Sequence, residues 1–296
     1  MTGKTKAYIY LILATVGWGT LYVAGKYVLE VVPSFTLLFF RYLIGISTLL
    51  LFYRNRPKTK IAKEDYKKIG AIGVVGYFLG IAFQFIGTNY CSASMASIIN
   101  SVNPVFIILC AALMINEKPT KNQIISVIIA LIGTVVIIGN IGEGNETIGI
   151  LFSFGSVVTW SIASVYIREI CQKYDTILIT IYAMGIGFIC DIPFAFYSYI
   201  SAGLTLSSFS LPIILCILYI GTVCTAGALT FWNKGLELLD SSTCSLFYPL
   251  QPLTSAVLGV ICLNEALNLN FIVGSILIIG GIVYAVLADR NKLEKL

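Results

Sequence analysis

The sequence has no histidine, and charged residues make up only 11% of its 296 positions. With no histidine and no C-x-x-C among its eight cysteines, a Cys/His metal site is excluded. There is no Walker motif, so this chain does not itself hydrolyse ATP. The longest polar segment, Arg54 to Lys68, is too short to fold alone, which rules out a soluble catalytic domain by length. Its acids are scattered and offer no converging nucleophile, base and metal set, so neither an enzyme nor a cofactor is expected. Cys110, Cys190, Cys216, Cys224, Cys244 and Cys262 sit inside apolar stretches and read as small hydrophobes, not as a disulfide framework.

What the chain has instead is apolar surface. It is 58% hydrophobic with a mean hydropathy of +0.92, whereas a soluble domain carries about 25% charged residues. A bilayer core takes roughly 20 apolar residues per helix. Ten stretches qualify: 7–27, 33–53, 69–88, 94–115, 123–141, 148–168, 176–199, 211–231, 242–263 and 270–288. The chain therefore reads as an all-α membrane protein of ten transmembrane helices. If the N-terminus is cytoplasmic, every Lys and Arg except Lys26 and Arg41 falls on the cytoplasmic side, and Glu30, Glu143, Glu146 and Glu265 fall opposite. The positive-inside rule then predicts a multi-pass plasma-membrane protein with both termini in the cytoplasm. The net charge of +5 is a topology signal, and no nucleic-acid partner is expected.

The two halves repeat each other. An offset of 148 carries Gly87 onto Gly235, Ser94 onto Ser242, Ser97 onto Ser245 and Pro104 onto Pro252. The same offset carries Asn116-Glu117 onto Asn264-Glu265, Asn122 onto Asn270 and Gly133 onto Gly281. Trp18 and Trp160 correspond at a slightly different offset. Each repeat holds five helices, an odd number, so the second must run through the bilayer upside down. Lys118 and Lys121 follow Asn116-Glu117, but Ala266 and Leu269 follow Asn264-Glu265, so the motif is kept and the cations are dropped. Inverted repeats support alternating access about a site near the midplane.

A Trp in the first helix of each half, a central Pro in the fourth, and Asn-Glu before a Gly-containing fifth resemble the drug/metabolite transporter superfamily, EamA-like branch. The resemblance covers essentially the whole chain, with a first repeat over 1–141, a second over 148–288 and a cytoplasmic tail over 289–296. It implies a central cavity lined by helices 1–4 and 6–9, with helices 5 and 10 peripheral. It also implies export of amino acids or related metabolites. An uptake permease for a cationic or aromatic solute and a non-transporting receptor or scaffold stay open as alternatives. The expected partners are a small-molecule substrate, the lipid bilayer and a proton as coupling ion.

Pro104 and Pro252 are predicted helix kinks. A mid-helix proline frees the carbonyl four residues back, here those of Asn100 and Tyr248, and in lipid each needs another partner. Asn100, Asn103, Tyr248 and Gln251 are accordingly expected to line the substrate site, since their amides and hydroxyl donate and accept; helix packing would use the same groups. Trp18 and Trp160 lie mid-helix, not in an interfacial belt. With Tyr22 and Tyr77 they are candidates for an aromatic wall, and Trp232 reads as an interface anchor. Arg41 and Asp191 are mid-helix charges at similar depth. Either they form an ion pair, or Arg41 binds a substrate carboxylate and Asp191 couples transport to protons. Glu117 and Glu265 are expected to accept from the N–H groups that start the next helix, and Thr120 with Gln123 reads as a capping box. Gly73-x-x-Gly76-x-x-x-Gly80 permits close helix approach, and the glycines at 139, 142 and 144 form a turn, not a nucleotide site.

Overall fold

The computed structural model describes residues 3–54, 60–115, 120–138, 145–239, 244, 247–248, 250–265 and 269–293. Glu117 and the glycine turn over 139–144 lie outside the described residues, as does the Gln123 side chain of the Thr120 capping box. Ten helical rods follow one another, and no strand occurs among the described residues. They are α1 (Gly3–Leu29), α2 (Ser34–Tyr53), α3 (Lys63–Tyr90), α4 (Ala93–Met114) and α5 (Lys121–Ile138). The second half holds α6 (Asn145–Cys171), α7 (Thr176–Ser201), α8 (Leu211–Leu238), α9 (Leu250–Leu263) and α10 (Leu269–Leu293). Seven are long and apolar enough to cross a bilayer, and α9 and Leu269–Gly281 of α10 are shorter apolar helices. Large apolar side chains such as Phe52, Ile189 and Tyr197 point outward and are more than half exposed. That surface is untenable in water but suits hydrocarbon. This is an all-α, multi-pass membrane protein.

One end of the bundle gathers cations and is the basic face. There Lys68 pairs with Glu169, and Lys173 lies 3.2 Å from Asp65, which also accepts from the Tyr174 hydroxyl at 2.8 Å. The far face carries Lys26 and Glu265. Equivalent devices close equivalent helices at opposite faces. On the far face Lys26 of α1 donates to the carbonyls of Thr88, Asn89 and Cys91 at the end of α3, at 2.7–3.1 Å. On the basic face Arg168 of α6 donates to the carbonyls of Leu236 and Leu239 at the end of α8. Lys26 and Arg168 are 142 apart, and Thr88 and Cys91 are each 148 from Leu236 and Leu239. A cation satisfying the orphan carbonyls of a helix end is thus built twice, once per face, and only an inverted repeat places it so.

The interiors of α3 and α8 match as well. Both loosen to π-helical winding, over Ile72–Gly80 and Ile220–Gly227, which begin 148 residues apart. The wider turn leaves carbonyls to be satisfied. Tyr42 of α2 donates to the Tyr77 carbonyl, and the Thr225 hydroxyl takes the Ile220 carbonyl at 2.7 Å. Each loosened stretch carries a glycine against its neighbour. A methyl on Gly73 would sit 2.6 Å from Cβ of Ile186 in α7, and one on Gly221 the same distance from Cβ of Ile44 in α2. Gly133 of α5 packs on Leu277 and Gly281 of α10 on Ile129, which pairs the two fifth helices reciprocally at one side of the bundle.

These contacts make a prediction. Gly73→Ala and Gly221→Ala each force side chains together, and each is expected to cost about 1–3 kcal/mol and lower the melting temperature of the purified protein. Gly185→Ala, where nothing lies within 4 Å, is expected not to lower it.

Candidate functional site

The fourth helix of the first half is interrupted. The first half of α4 ends at Asn100 and its second half begins at Asn103, with Pro104 in the first turn where a missing N–H costs nothing. In α9 the described helix starts at Leu250, with Pro252 again in the first turn. The sequence predicts kinked continuous helices; in α4 the structure instead makes the proline the start of a half-helix. The two carbonyls freed by proline are both taken. Asn103 Nδ2 donates to the Asn100 carbonyl at 2.7 Å, and the Gln251 N–H donates to the Tyr248 carbonyl at 2.9 Å. Asn103 Oδ1 accepts from Ser161 at 3.2 Å, and Asn100 Nδ2 donates to the Ala96 carbonyl at 3.0 Å. The amides of Asn100 and Asn103 are therefore largely spent on holding the break.

Around the break of α4 and the start of α9 lies a narrow cavity of about 30 Å³, lined by Trp18, Arg41, Gly80, Ile81, Gln84, Asn100, Asn103, Ser156, Trp160, Leu229, Tyr248 and Gln251. That is room for about two waters, not for an organic solute. Among the residues expected from sequence, Trp18, Arg41, Asn100, Asn103, Trp160, Tyr248 and Gln251 share this one cavity. Tyr22 stands just behind it, its hydroxyl accepting from Gln84 Nε2 at 2.7 Å. Tyr77 packs on Trp160 with ring centroids 5.8 Å apart.

The aromatic groups interlock. Trp18 meets Trp160 edge-on at 5.8 Å, and Trp160 Nε1 donates to the Tyr248 hydroxyl at 2.7 Å. Trp232 is not at an interface, as its place near the helix end predicts; it is fully buried, 5.2 Å from the Trp18 ring and 4.8 Å from that of Tyr248. The reason is the winding of α8, which continues to Leu238 and carries Trp232 inward. All three tryptophans of the chain thus stand at one cluster. Gln84 and Ser156 were missed by sequence reasoning.

The two mid-helix charges do not pair. Arg41 and Asp191 are 1% and 0% exposed, and Arg41 Nε, Arg41 Nη1 and both Asp191 carboxyl oxygens have no hydrogen-bond partner. Helices α2 and α7 do pack on each other, but neither charge forms an ion pair with the other. Arg41 is instead held with its guanidinium carbon 5.3 Å from the Phe85 ring centroid. Glu265 has partners that the sequence does not suggest. Asn264 takes a left-handed φ of 53° and the Glu265 N–H returns to the Gly259 carbonyl at 3.1 Å, which ends the helix. The Glu265 carboxylate lies on the start of α4. There it accepts from the Ala93 and Ser94 N–H groups at 2.6 and 3.1 Å and from the Ser94 hydroxyl. It caps a helix of the other half.

Comparison with known proteins places this arrangement. The family model described as the EamA-like transporter family matches residues 5–139 and again 147–287. An uncharacterized transporter of Archaeoglobus fulgidus is 29% identical, over 96% of this chain and 100% of its own length. Another from Clostridium kluyveri is 25% identical, over 98% of this chain and 96% of its own. A crystal structure 21% identical in sequence superimposes with a TM-score of 0.72, over 95% of this chain and 98% of that one, and so shares its fold.

The helix break can be tested directly. Asn103→Leu leaves the buried Asn100 carbonyl and the Ser161 hydroxyl without their partner, and is expected to destabilise by about 1–3 kcal/mol. Thermal unfolding followed by tryptophan fluorescence reads both the loss and any loosening of the cluster around Trp18.

Proposed function

The chain belongs to the EamA-like transporter family, and on that footing we propose that it is a secondary transporter that exports amino acids or related small metabolites by alternating access. The observation that carries this reading is the cavity itself. It sits between the break of α4 and the start of α9, which the inverted repeat relates, has mixed aromatic and polar walls, and is too small in this conformation for a solute. Pockets that take organic ligands measure about 300–1,000 Å³, so the helices must part for a solute to enter. The inverted halves supply the motion, because exchanging their conformations opens one face as it closes the other. In this reading the basic face is cytoplasmic, the membrane is the plasma membrane, and the function is transport and not catalysis.

Glu265 fits the role of a far-face tie. It bridges the turn after α9 to the start of α4, 171 to 172 residues away along the chain. Opening the far face requires this bridge between the halves to release. Asp191 fits the role of proton carrier. A lone mid-membrane carboxylate costs roughly 2.5–3.5 kcal/mol, and Asp191 has no partner to offset it. Pro193, two residues on, leaves α7 locally short of a backbone donor.

Reconstitution tests the proposal. Vesicles preloaded with mixed amino acids are expected to exchange labelled solute only when the protein is present. Gln251→Leu is expected to weaken substrate affinity about tenfold, the effect of one lost buried hydrogen bond of about 1.4 kcal/mol. Unchanged affinity would remove Gln251 from the site. If Asp191 carries the proton, Asp191→Asn is expected to abolish stimulation by a pH gradient while solute exchange continues. Stimulation that persists in Asp191→Asn refutes the coupling role.

A further inference from the structure

The cavity holds one cation, Arg41, and its hydrogen-bonding capacity is not used up. Asn100, Asn103, Tyr248 and Trp160 are engaged with one another, with backbone or with Ser156 and Ser161. Arg41 is not: its Nε and Nη1 are buried without partners. No Asp or Glu lines the cavity. The single buried acid nearby, Asp191, makes no bond to it. Nor does the repeat supply a compensating group: the position matching Arg41 in the second half, at the offset of 142, is Ala183.

A further feature raises the positive potential at the same point. The half-helix Asn103–Met114 begins at a cavity-lining residue, Asn103. The N-terminal end of a helix carries about half a positive charge. Its Val102 cap offers no side-chain oxygen to the N–H groups. A guanidinium beside a helix N-terminus, in a site lined by no carboxylate, forms a receptor for an anion.

We propose that Arg41 receives the carboxylate of the transported solute, and that the Trp18–Trp160–Tyr248 cluster packs the solute's apolar part. This deepens the transporter reading and rests on it. One guanidinium matches one carboxylate, so the substrate class is a monocarboxylate, free amino acids included. A purely cationic solute, which aromatic walls alone would admit, is repelled. Arg41 also makes the two halves unequal at the site: the fold repeats, but the charge that selects the solute is supplied once.

The test uses the purified full chain and matched ligands. L-phenylalanine, L-leucine and phenylacetate are titrated beside their carboxamides and beside phenethylamine, with thermal unfolding and tryptophan fluorescence as readouts. The expected result is that carboxylates stabilise the protein and the carboxamides and amine do not. In Arg41→Gln the carboxylate affinity is expected to fall roughly 10- to 100-fold, the scale of a lost charge-assisted hydrogen bond, with partial recovery in Arg41→Lys. Arg41→Met supplies a readout independent of any ligand. It removes a buried charge whose Nε and Nη1 have no hydrogen-bond partner, so the ligand-free melting temperature is expected to hold or rise. A marked fall would make Arg41 a structural residue and overturn the proposal, as would stabilisation by the carboxamides equal to that by the acids, or by no carboxylate at all. If ligand affinity falls in Gln251→Leu but not in Arg41→Gln, the cavity stands and the carboxylate assignment fails. If neither variant changes it, the cavity reading fails too.

Discussion

Within hydrocarbon there is no water to satisfy a backbone N–H or C=O, so each departure from α-helical winding must be answered by a protein group. Most of the specific interactions in this structure are such answers. Tyr42 and Thr225 take carbonyls in the loosened stretches of α3 and α8, Asn103 takes the one freed by Pro104, and Lys26 and Arg168 close helix ends. Packing then follows from where these repairs allow close approach. Gly73 against Ile186 and Gly221 against Ile44 let the loosened helices lie against α7 and α2.

The irregular stretches are also where the helices can rearrange. A straight helix resists bending, but a π-helical turn or a break at proline has already forfeited some of its ladder. The loosened stretch of α3 and the starts of the half-helix at Asn103 and of α9 border the cavity, and that of α8 ends two residues short of it: Gly80 lines the cavity beside Asn100 and Gln251, and Leu229 follows the loosened stretch of α8. The flexible elements of the fold and its polar centre therefore coincide, in both halves. A solute that bound at the centre would act directly on the segments able to change shape.

Much of this was legible in the sequence, because the repeat is written in residues with strong backbone consequences. Pro104 and Pro252 each lie in the first turn of a helix, Asn264-Glu265 ends one, and Gly133 and Gly281 make close contacts. Apolar length marked the helices, and mid-helix depth drew Trp18, Trp160 and Arg41 into one expected site. What was not legible depends on neighbours distant in sequence. Glu265 reaches the start of α4, 171 to 172 residues back along the chain. Arg41 and Asp191 share a depth but form no pair. The inward place of Trp232 depends on how far α8 continues, and the π-helical turns carry no proline or other flag beyond their glycines.

The central claim is that the two inverted halves exchange conformations about the closed cavity, with the Glu265–Ser94 contact as the far-face tie. Its most direct measurement is solute exchange by a cysteine-depleted protein carrying Ser94→Cys and Glu265→Cys, bridged by a short thiol-cleavable reagent. The account predicts that bridging stops exchange, that reductant restores it, and that the single-cysteine variants treated alike keep exchanging. Exchange that continues at full rate with the far face bridged would contradict it.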